Sequence, residues 1–177
     1  MTEDIKLIGE NIYLRQIEES DVEGNYPEWF NDKEVCKYNG HGEVVNTKEK
    51  TLEYVKSVRN SEHTLVFAII DKNNDRHIGN ISLQKINKKD SNAEIAIIIG
   101  EKDYWGTGVG KEAWKLIMDY GFSKMNLHRL YCGTNIENIG MQKLAENCGM
   151  EKEGISKDGM LKNGKYYDLV HYGKIKK

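Results

Sequence analysis

The chain has 177 residues, 31% of them charged, with a single proline and a net charge of −2. That length makes one domain, residues 1–177, with room for a proper core, and no apolar run is long enough to cross a membrane as a helix. Three scattered cysteines without a Cys-x-x-Cys, five dispersed histidines and no basic patch interleaved with aromatics argue against a disulfide framework, a metal site and nucleic-acid binding.

Asn11 to Ile17 reads as a strand. Ser20-Asp21-Val22-Glu23 is a capping box that starts a helix. Pro27 breaks it, and a second short helix is expected near Asp32 to Lys37. Tyr38 to Asn46 reads as a loop. Lys48 to Asn60 is a helix capped by Asn46 or Thr47, with Leu52 and Val55 facing in. The period then changes to two. Leu65 to Asp71, His77 to Ile86 and Asn92 to Ile99 are three meandering strands. The run Ile97-Ile98-Ile99 is expected to be buried on both faces. Gly108 to Phe122 is a helix with the stripe Val109, Ala113, Leu116, Ile117 and Tyr120. Arg129 to Thr134 is a strand, and Asn138 to Cys148 a helix ended by Gly149. Strands at Glu151 to Ser156 and Tyr166 to Ile175 close the chain, with Asn163-Gly164 as a turn signal between them. The order defines a mixed α/β fold with seven strands.

Tyr104-Trp105-Gly106-Thr107-Gly108-Val109-Gly110-Lys111-Glu112-Ala113 carries the clearest chemistry. Glycines let a ligand approach the backbone, and the helix that follows points unpaired N–H groups and its positive dipole end at one spot. That spot suits a phosphate or pyrophosphate. A Walker loop would need glycine where Trp105 stands and Ser or Thr where Glu112 follows Lys111. A dinucleotide fingerprint would need its last glycine one residue later, and an earlier position in the chain. Charge agrees with an anionic ligand. Residues 1–60 hold 8 Lys/Arg against 13 Asp/Glu, whereas residues 61–177, with the loop, hold 18 against 15. The acidic part suits a cationic partner.

With these residues in view, Trp105-Gly106-Thr107-Gly108-Val109-Gly110 resembles the pyrophosphate loop of the GNAT superfamily of acetyl-CoA-dependent N-acetyltransferases, Trp105 standing where Gln or Arg is usual. The Tyr-Trp-Gly-x-Gly opening followed by Glu-Ala is similar to the Rim-type branch, related to ribosomal-protein N-terminal acetyltransferases. Asn138-Ile139-Gly140, then a helix, then Gly149-Met150 resembles the second GNAT signature, with Gly140 for Ala or Ser and Met150 for Phe. The strand order resembles the whole GNAT fold: a mixed, mostly antiparallel seven-stranded sheet, flanked by helices and splayed between its fourth and fifth strands. Those are Ala93 to Ile99 and Arg129 to Thr134.

The resemblance implies a direct acetyl transfer to an amine. Loop residues Trp105 to Lys111 (Trp105, Gly106, Thr107, Gly108, Val109, Gly110, Lys111) would hold the pyrophosphate. Asn138, with Met141 in the same turn, would meet the pantetheine arm, although Asn138 is also a good helix cap. Backbone amides at Ile98 and Ile99 would face the acetyl oxygen. Glu94 would be the base, or a strand-end residue paired with a lysine. Many relatives carry a tyrosine acid where this chain has Ala145.

Trp29-Phe30-Asn31-Asp32-Lys33-Glu34-Val35 is similar to a segment near the acceptor site of the Rim-type branch, so Tyr26, Trp29 and Tyr38 are candidate substrate contacts. Ile117 to Phe122 and Asn126 to Tyr131 look similar to bacterial spermidine/spermine acetyltransferases. The expected acceptor is therefore a small-molecule amine, polyamine ahead of amino sugar, with a protein N-terminus or a non-catalytic acetyl-CoA-binding module as alternatives. No metal is implied. A cytoplasmic setting is expected from the reduced cysteines and from Met1-Thr2-Glu3-Asp4, which does not open a signal peptide. Strand-edge pairing leaves a homodimer open.

Overall fold

A computed structural model describes residues 5–177. The expectation drawn from Met1 to Asp4 lies outside them. The strands are β1 (Lys6–Ile8), β2 (Ile12–Gln16), β3 (Leu65–Asp71), β4 (His77–Asn87), β5 (Asn92–Ile99), β6 (Arg129–Asn135), β7 (Glu151–Lys162) and β8 (Lys165–Ile175). They form one sheet in the order β1-β2-β3-β4-β5-β6-β8-β7. The helices are α1 (Tyr26–Trp29), α2 (Lys48–Arg59), α3 (Val109–Ser123) and α4 (Ile139–Asn147).

The sheet has eight strands rather than seven. The added one, β1, is three residues long and too short to show a period; it pairs antiparallel with β2, Lys6 opposite Arg15. The predicted helix at Asp32 to Lys37 is a series of turns, tied by the Asp32 carboxylate accepting from the amides of Glu34 and Val35. The predicted capping box shifts by two residues. Glu18 caps a 3-10 turn over Glu19–Glu23, and Asp21 supplies the return bond to the Glu18 amide at 2.8 Å. Pro27 sits in the first turn of α1, where its missing N–H leaves no bond unmade.

Alternation along the central strands separates two cores. Phe67, Ile69, Leu83, Ala93 and Ile95 face α3, whose Val109, Ala113, Trp114, Ile117 and Met118 are buried against them. Each such aliphatic side chain contributes about 1.5–3 kcal/mol on burial. The smaller core on the other face joins Ile17, Val22, Tyr26, Trp29, Val55 and Val66. It seats α1 and α2.

Two long-range anchors fix the site's frame. Gly100 follows β5, and a β carbon there would lie inside the Trp29 indole. Glu101, 8% exposed, accepts from Trp29 Nε1 at 2.9 Å and Asn25 Nδ2 at 3.0 Å, and pairs with Arg76. On the opposite face, Glu112 of α3 accepts from the Asn11 and Ile12 amides at 2.9 and 3.2 Å. α1 and α3 are thus fastened to the sheet around the end of β5.

Candidate active site

β5 and β6 run parallel but pair only from Asn92 opposite Arg129 to Glu94 opposite Tyr131. Beyond Glu94 the strands part. β5 stays bonded to β4 through Ile99, and β6 stays bonded to β8 through Asn135, so each leaves one edge open toward the gap. The splay falls between the two strands expected. It also explains a correction: Ile97, Ile98 and Ile99 are half-buried rather than sealed on both faces. Ile97 and Ile99 turn their backbone groups toward the open edge, where an extended ligand finds hydrogen-bonding groups, whereas Ile98, expected beside Ile99 there, is paired through its backbone with Asn80 of β4.

The glycine loop follows directly. Gly106 and Gly108 take φ of +74° and +94°, and nothing lies within 4 Å of where their β carbons would be. Gly108 caps α3 in a left-handed conformation. Among the described residues, the amides of Gly106, Gly108, Val109, Gly110 and Lys111 have no hydrogen-bond acceptor. They form an open cradle at the positive end of a 15-residue helix. Thr107 Oγ1 and Trp105 Nε1 brace it, donating to the carbonyls of Tyr104 and Ile99 at 2.7 and 2.9 Å. Lys111 is exposed on the first turn of α3. Burial raises the Cys148 thiol pKa, while the charges of Lys111, Lys115 and Lys174 act on it in the opposite direction.

Across the gap, Asn138 caps α4 with its Oδ1, accepting from the Met141 amide at 3.1 Å. Its Nδ2 has no partner among the described residues. The cap and a ligand contact are compatible in one carboxamide. Ala145 is fully buried behind it.

On the α1/α2 face, a cavity of about 500 Å³ opens beside Ile98. Its floor is the small and polar side of the sheet: Val66 from β3, Asn80, Ser82 and Gln84 from β4, Ala96 and Ile98 from β5. Register puts Asn80 opposite Ile98, Ser82 opposite Ala96 and Gln84 opposite Glu94. Tyr26 and Phe30 form one wall, and Thr51, Tyr54 and Val58 of α2 the other. Asn39, His41, Asn46 and Lys50 line the remainder. Burial and the Lys162 charge hold His41 below the usual imidazole pKa.

Of the three aromatics expected here, only Tyr26 is on the wall. Trp29 turns into the core beside His77, ring centroids 4.9 Å apart, and so supports the wall from behind. Tyr38 lies outside, with the Lys37 ammonium 4.9 Å from its ring centre. Glu94 shares the face of Ala96 and Ile98 but is not on the cavity wall; its carboxylate pairs with Lys85 at 2.6 Å. The polar stripe Asn80-Ser82-Gln84 escaped the sequence reading. The signal was present, since these residues alternate with Ile81 and Leu83 along the strand expected at His77 to Ile86, and polar groups on a central strand need partners.

Behind the cavity floor is a buried polar chain. Arg15 donates to both Asp21 oxygens at 2.9 and 2.6 Å. Burial alone would raise the Asp21 pKa, but Arg15 and the Glu18 amide outweigh it and the net shift is downward. His77 Nδ1 is 3.7 Å from Asp21, and its Nε2 reaches Gly79 O at 3.0 Å and Asn80 Oδ1 at 2.8 Å. Burial lowers the His77 pKa. The two acceptors at Nε2 assign the neutral tautomer protonated there.

An open sheet with an anion cradle at one end of a gap and a small-molecule cavity at the other defines a transferase that brings two substrates together across one strand edge. Comparison with known proteins agrees. A family model described as an acetyltransferase (GNAT) domain matches residues 11–151, and the chain belongs to that family of N-acetyltransferases. The chain is 28% identical over 168 residues to a probable N-acetyltransferase, YjcK, of Bacillus subtilis, covering 92% of each. It is 33% identical over 110 residues to a spermidine N(1)-acetyltransferase of Vibrio cholerae, covering 62% of this chain and 61% of that one. Among solved structures, a GNAT-family acetyltransferase from Bacillus anthracis superposes with a TM-score of 0.84 at 26% identity, covering 97% of this chain and 98% of that one.

Proposed function

We propose that the protein transfers an acetyl group directly from acetyl-CoA to the primary amine of a small molecule. The observation that carries this reading is the position of Ile97, whose backbone faces the open edge of β5 and which also lines the cavity. A donor bound along that edge and an amine bound in that cavity would meet there.

The chain's groups fit the donor. The Gly106 to Lys111 amides offer a pyrophosphate site, Asn138 Nδ2 offers a donor to the pantetheine arm, and the gap-facing amides of Ile97 and Ile99 offer donors to an acetyl oxygen. Acetyl-CoA supplies an activated acyl group whose leaving thiolate is the conjugate base of a thiol with pKa about 8.5. In the balanced reaction a C–N bond forms and a C–S bond breaks; one proton leaves the amine and one reaches sulfur. With Ala145 in place of a tyrosine, water is the source of the second.

An alkyl ammonium with pKa about 10.4 is neutral in roughly one molecule in a few thousand at pH 7, so its proton must be taken. We assign that task to Glu94, the carboxylate on the cavity-side face of β5 where the strands part. It would act through water held by Ser82 and Gln84, whose side chains bond at 2.9 Å. The spermidine-acetylating relative makes polyamines one candidate class, and amino sugars are the other. The test is thiol release from acetyl-CoA with spermidine, spermine, amino sugars and short peptides bearing free N-termini. Turnover with a small amine supports the reading; turnover confined to peptides overturns it.

A further inference from the structure

The cavity carries no carboxylate. Among the described residues that line it, every polar side chain is an amide, a hydroxyl, an imidazole or the Lys50 ammonium. A polyamine presents only N–H donors and several positive charges, and it needs acceptors, preferably anionic ones. The described acidic residues of the first 60 do not supply them: none lines the cavity, and several are held in ion pairs elsewhere. Glu23 pairs with Lys48, Glu19 with Lys56, Asp32 and Glu34 with Lys102, and Asp21 with Arg15. Lys50, held at the cavity by the Val45 carbonyl at 3.0 Å, adds a repelling charge.

One group on the floor lacks a partner. Asn80 is 6% exposed, and its Nδ2 has no hydrogen-bond acceptor. The orientation follows from His77, whose Nε2–H donates to Gly79 O and therefore takes Asn80 Oδ1 at 2.8 Å as its second acceptor. The amide nitrogen is turned away from the imidazole, on a residue of the cavity floor. A buried donor without a partner is costly, about 1–3 kcal/mol, and calls for an acceptor oxygen. Ser82 and Gln84 continue the row beside it, with Tyr26, Phe30 and Tyr54 giving aromatic faces around it. Uncharged hydrogen-bonding groups with no carboxylate beside them suit a hydroxyl-bearing body better than a polycation.

We propose that the acceptor is a hydroxylated amine, an amino sugar or amino alcohol, and that Asn80 selects it by donating from Nδ2 to a hydroxyl oxygen. This rests on the acetyl-transfer reading for turnover but not for binding, so the two are measured separately. Saturation-transfer NMR on the protein with CoA would compare glucosamine, galactosamine and ethanolamine with spermidine and spermine, and thiol release would be followed for the same panel. At least one hydroxylated amine should bind, with KM below that of either polyamine. Asn80→Asp keeps the oxygen facing His77 and replaces the donor by an acceptor. It should raise KM, or weaken binding, for the hydroxylated amine by about 10- to 100-fold and improve spermidine, with acetyl-CoA affinity unchanged. Asn80→Ser, which shortens the side chain, checks that the change is not a folding defect. Preferred binding of spermidine or spermine by the unmodified protein would overturn the proposal. So would failure of every hydroxylated amine to bind, or unaltered selectivity in the Asn80→Asp protein. Binding of glucosamine that is lost in that variant, with no acetylation of any amine, would uphold the selection and overturn the transfer reading.

Discussion

Gly108 holds a left-handed conformation with open space where a side chain would be, so a substitution there acts through the backbone and not through a clash. A β carbon at this φ costs about 1–2 kcal/mol. Gly108→Ala should therefore lower stability by about that amount in urea unfolding, while turning the cradle amides out of line. If the cradle binds pyrophosphate, the Kd for CoA rises at least tenfold, more than the stability loss alone produces; an unchanged Kd would remove the loop from the donor site. Glu94 makes a different kind of prediction. Its partner Lys85 is mostly exposed, so the pair contributes little to stability, under about 1 kcal/mol. Glu94→Gln should thus leave folding and acetyl-CoA affinity nearly unchanged while lowering kcat at least tenfold. Near-normal turnover at neutral pH would return Glu94 to the role of a strand-end ion pair.

At the scale of elements, the end of β5 depends on Glu101. Its carboxylate joins α1, through Trp29 and Asn25, to the strand that forms the gap, and Arg76 closes the cluster from the β3–β4 turn. Removing it leaves the buried indole N–H unpaired, so Glu101→Ala should cost about 2–3 kcal/mol and raise KM for the acceptor more than for acetyl-CoA, because α1 carries Tyr26 and α3 is anchored separately by Glu112. Equal effects on both substrates would mean that the two anchors are not independent. What the chain makes legible divides along the same line, between local and long-range contacts. The glycine loop, the α3 stripe, the Asn138 cap and the Asn163-Gly164 turn are local, each written in fewer than about fifteen neighbouring residues, and they stand where expected. The splayed strands were placed by resemblance and are confirmed by register. Glu101 and the cavity floor were not legible. The partners of Glu101 are at positions 25, 29 and 76, and the floor takes alternate residues of three strands whose common face only the sheet defines. The helix expected at Asp32 to Lys37 begins as one would, with Asp32 capping the Glu34 and Val35 amides and Cys36 bonding back to the Asp32 carbonyl, but the bonds that follow tighten to Lys37 N–H to Glu34 O and Asn39 N–H to Cys36 O, and only turns result.

For the molecule as a whole, the buried chain of Arg15, Asp21, His77 and Asn80 ties stability to pH. His77 has a folded pKa below its ordinary value of 6.5, so between the two values the unfolded chain binds a proton that the native protein excludes. Stability is then complete above pH 6.5 and falls as pH drops through that value toward the folded pKa. His41 is shifted the same way and adds to the slope. Asp21 and Glu112 act at lower pH. Both are depressed below their ordinary 3.8 and 4.5, so their contribution is present above those values and is lost as pH falls through the folded ones. The expected profile of unfolding free energy is a plateau from pH 7 to 8, a first decline as pH falls below 6.5, and a second loss below the ordinary carboxylate values of 4.5 and 3.8. His77→Gln keeps a donor toward Gly79 and Asn80 but cannot titrate. In urea unfolding at pH 5 to 8 it should remove most of the first decline and leave the second intact. A decline that persists in that variant would assign the transition to His41, at the cavity, and His41→Gln would then abolish it.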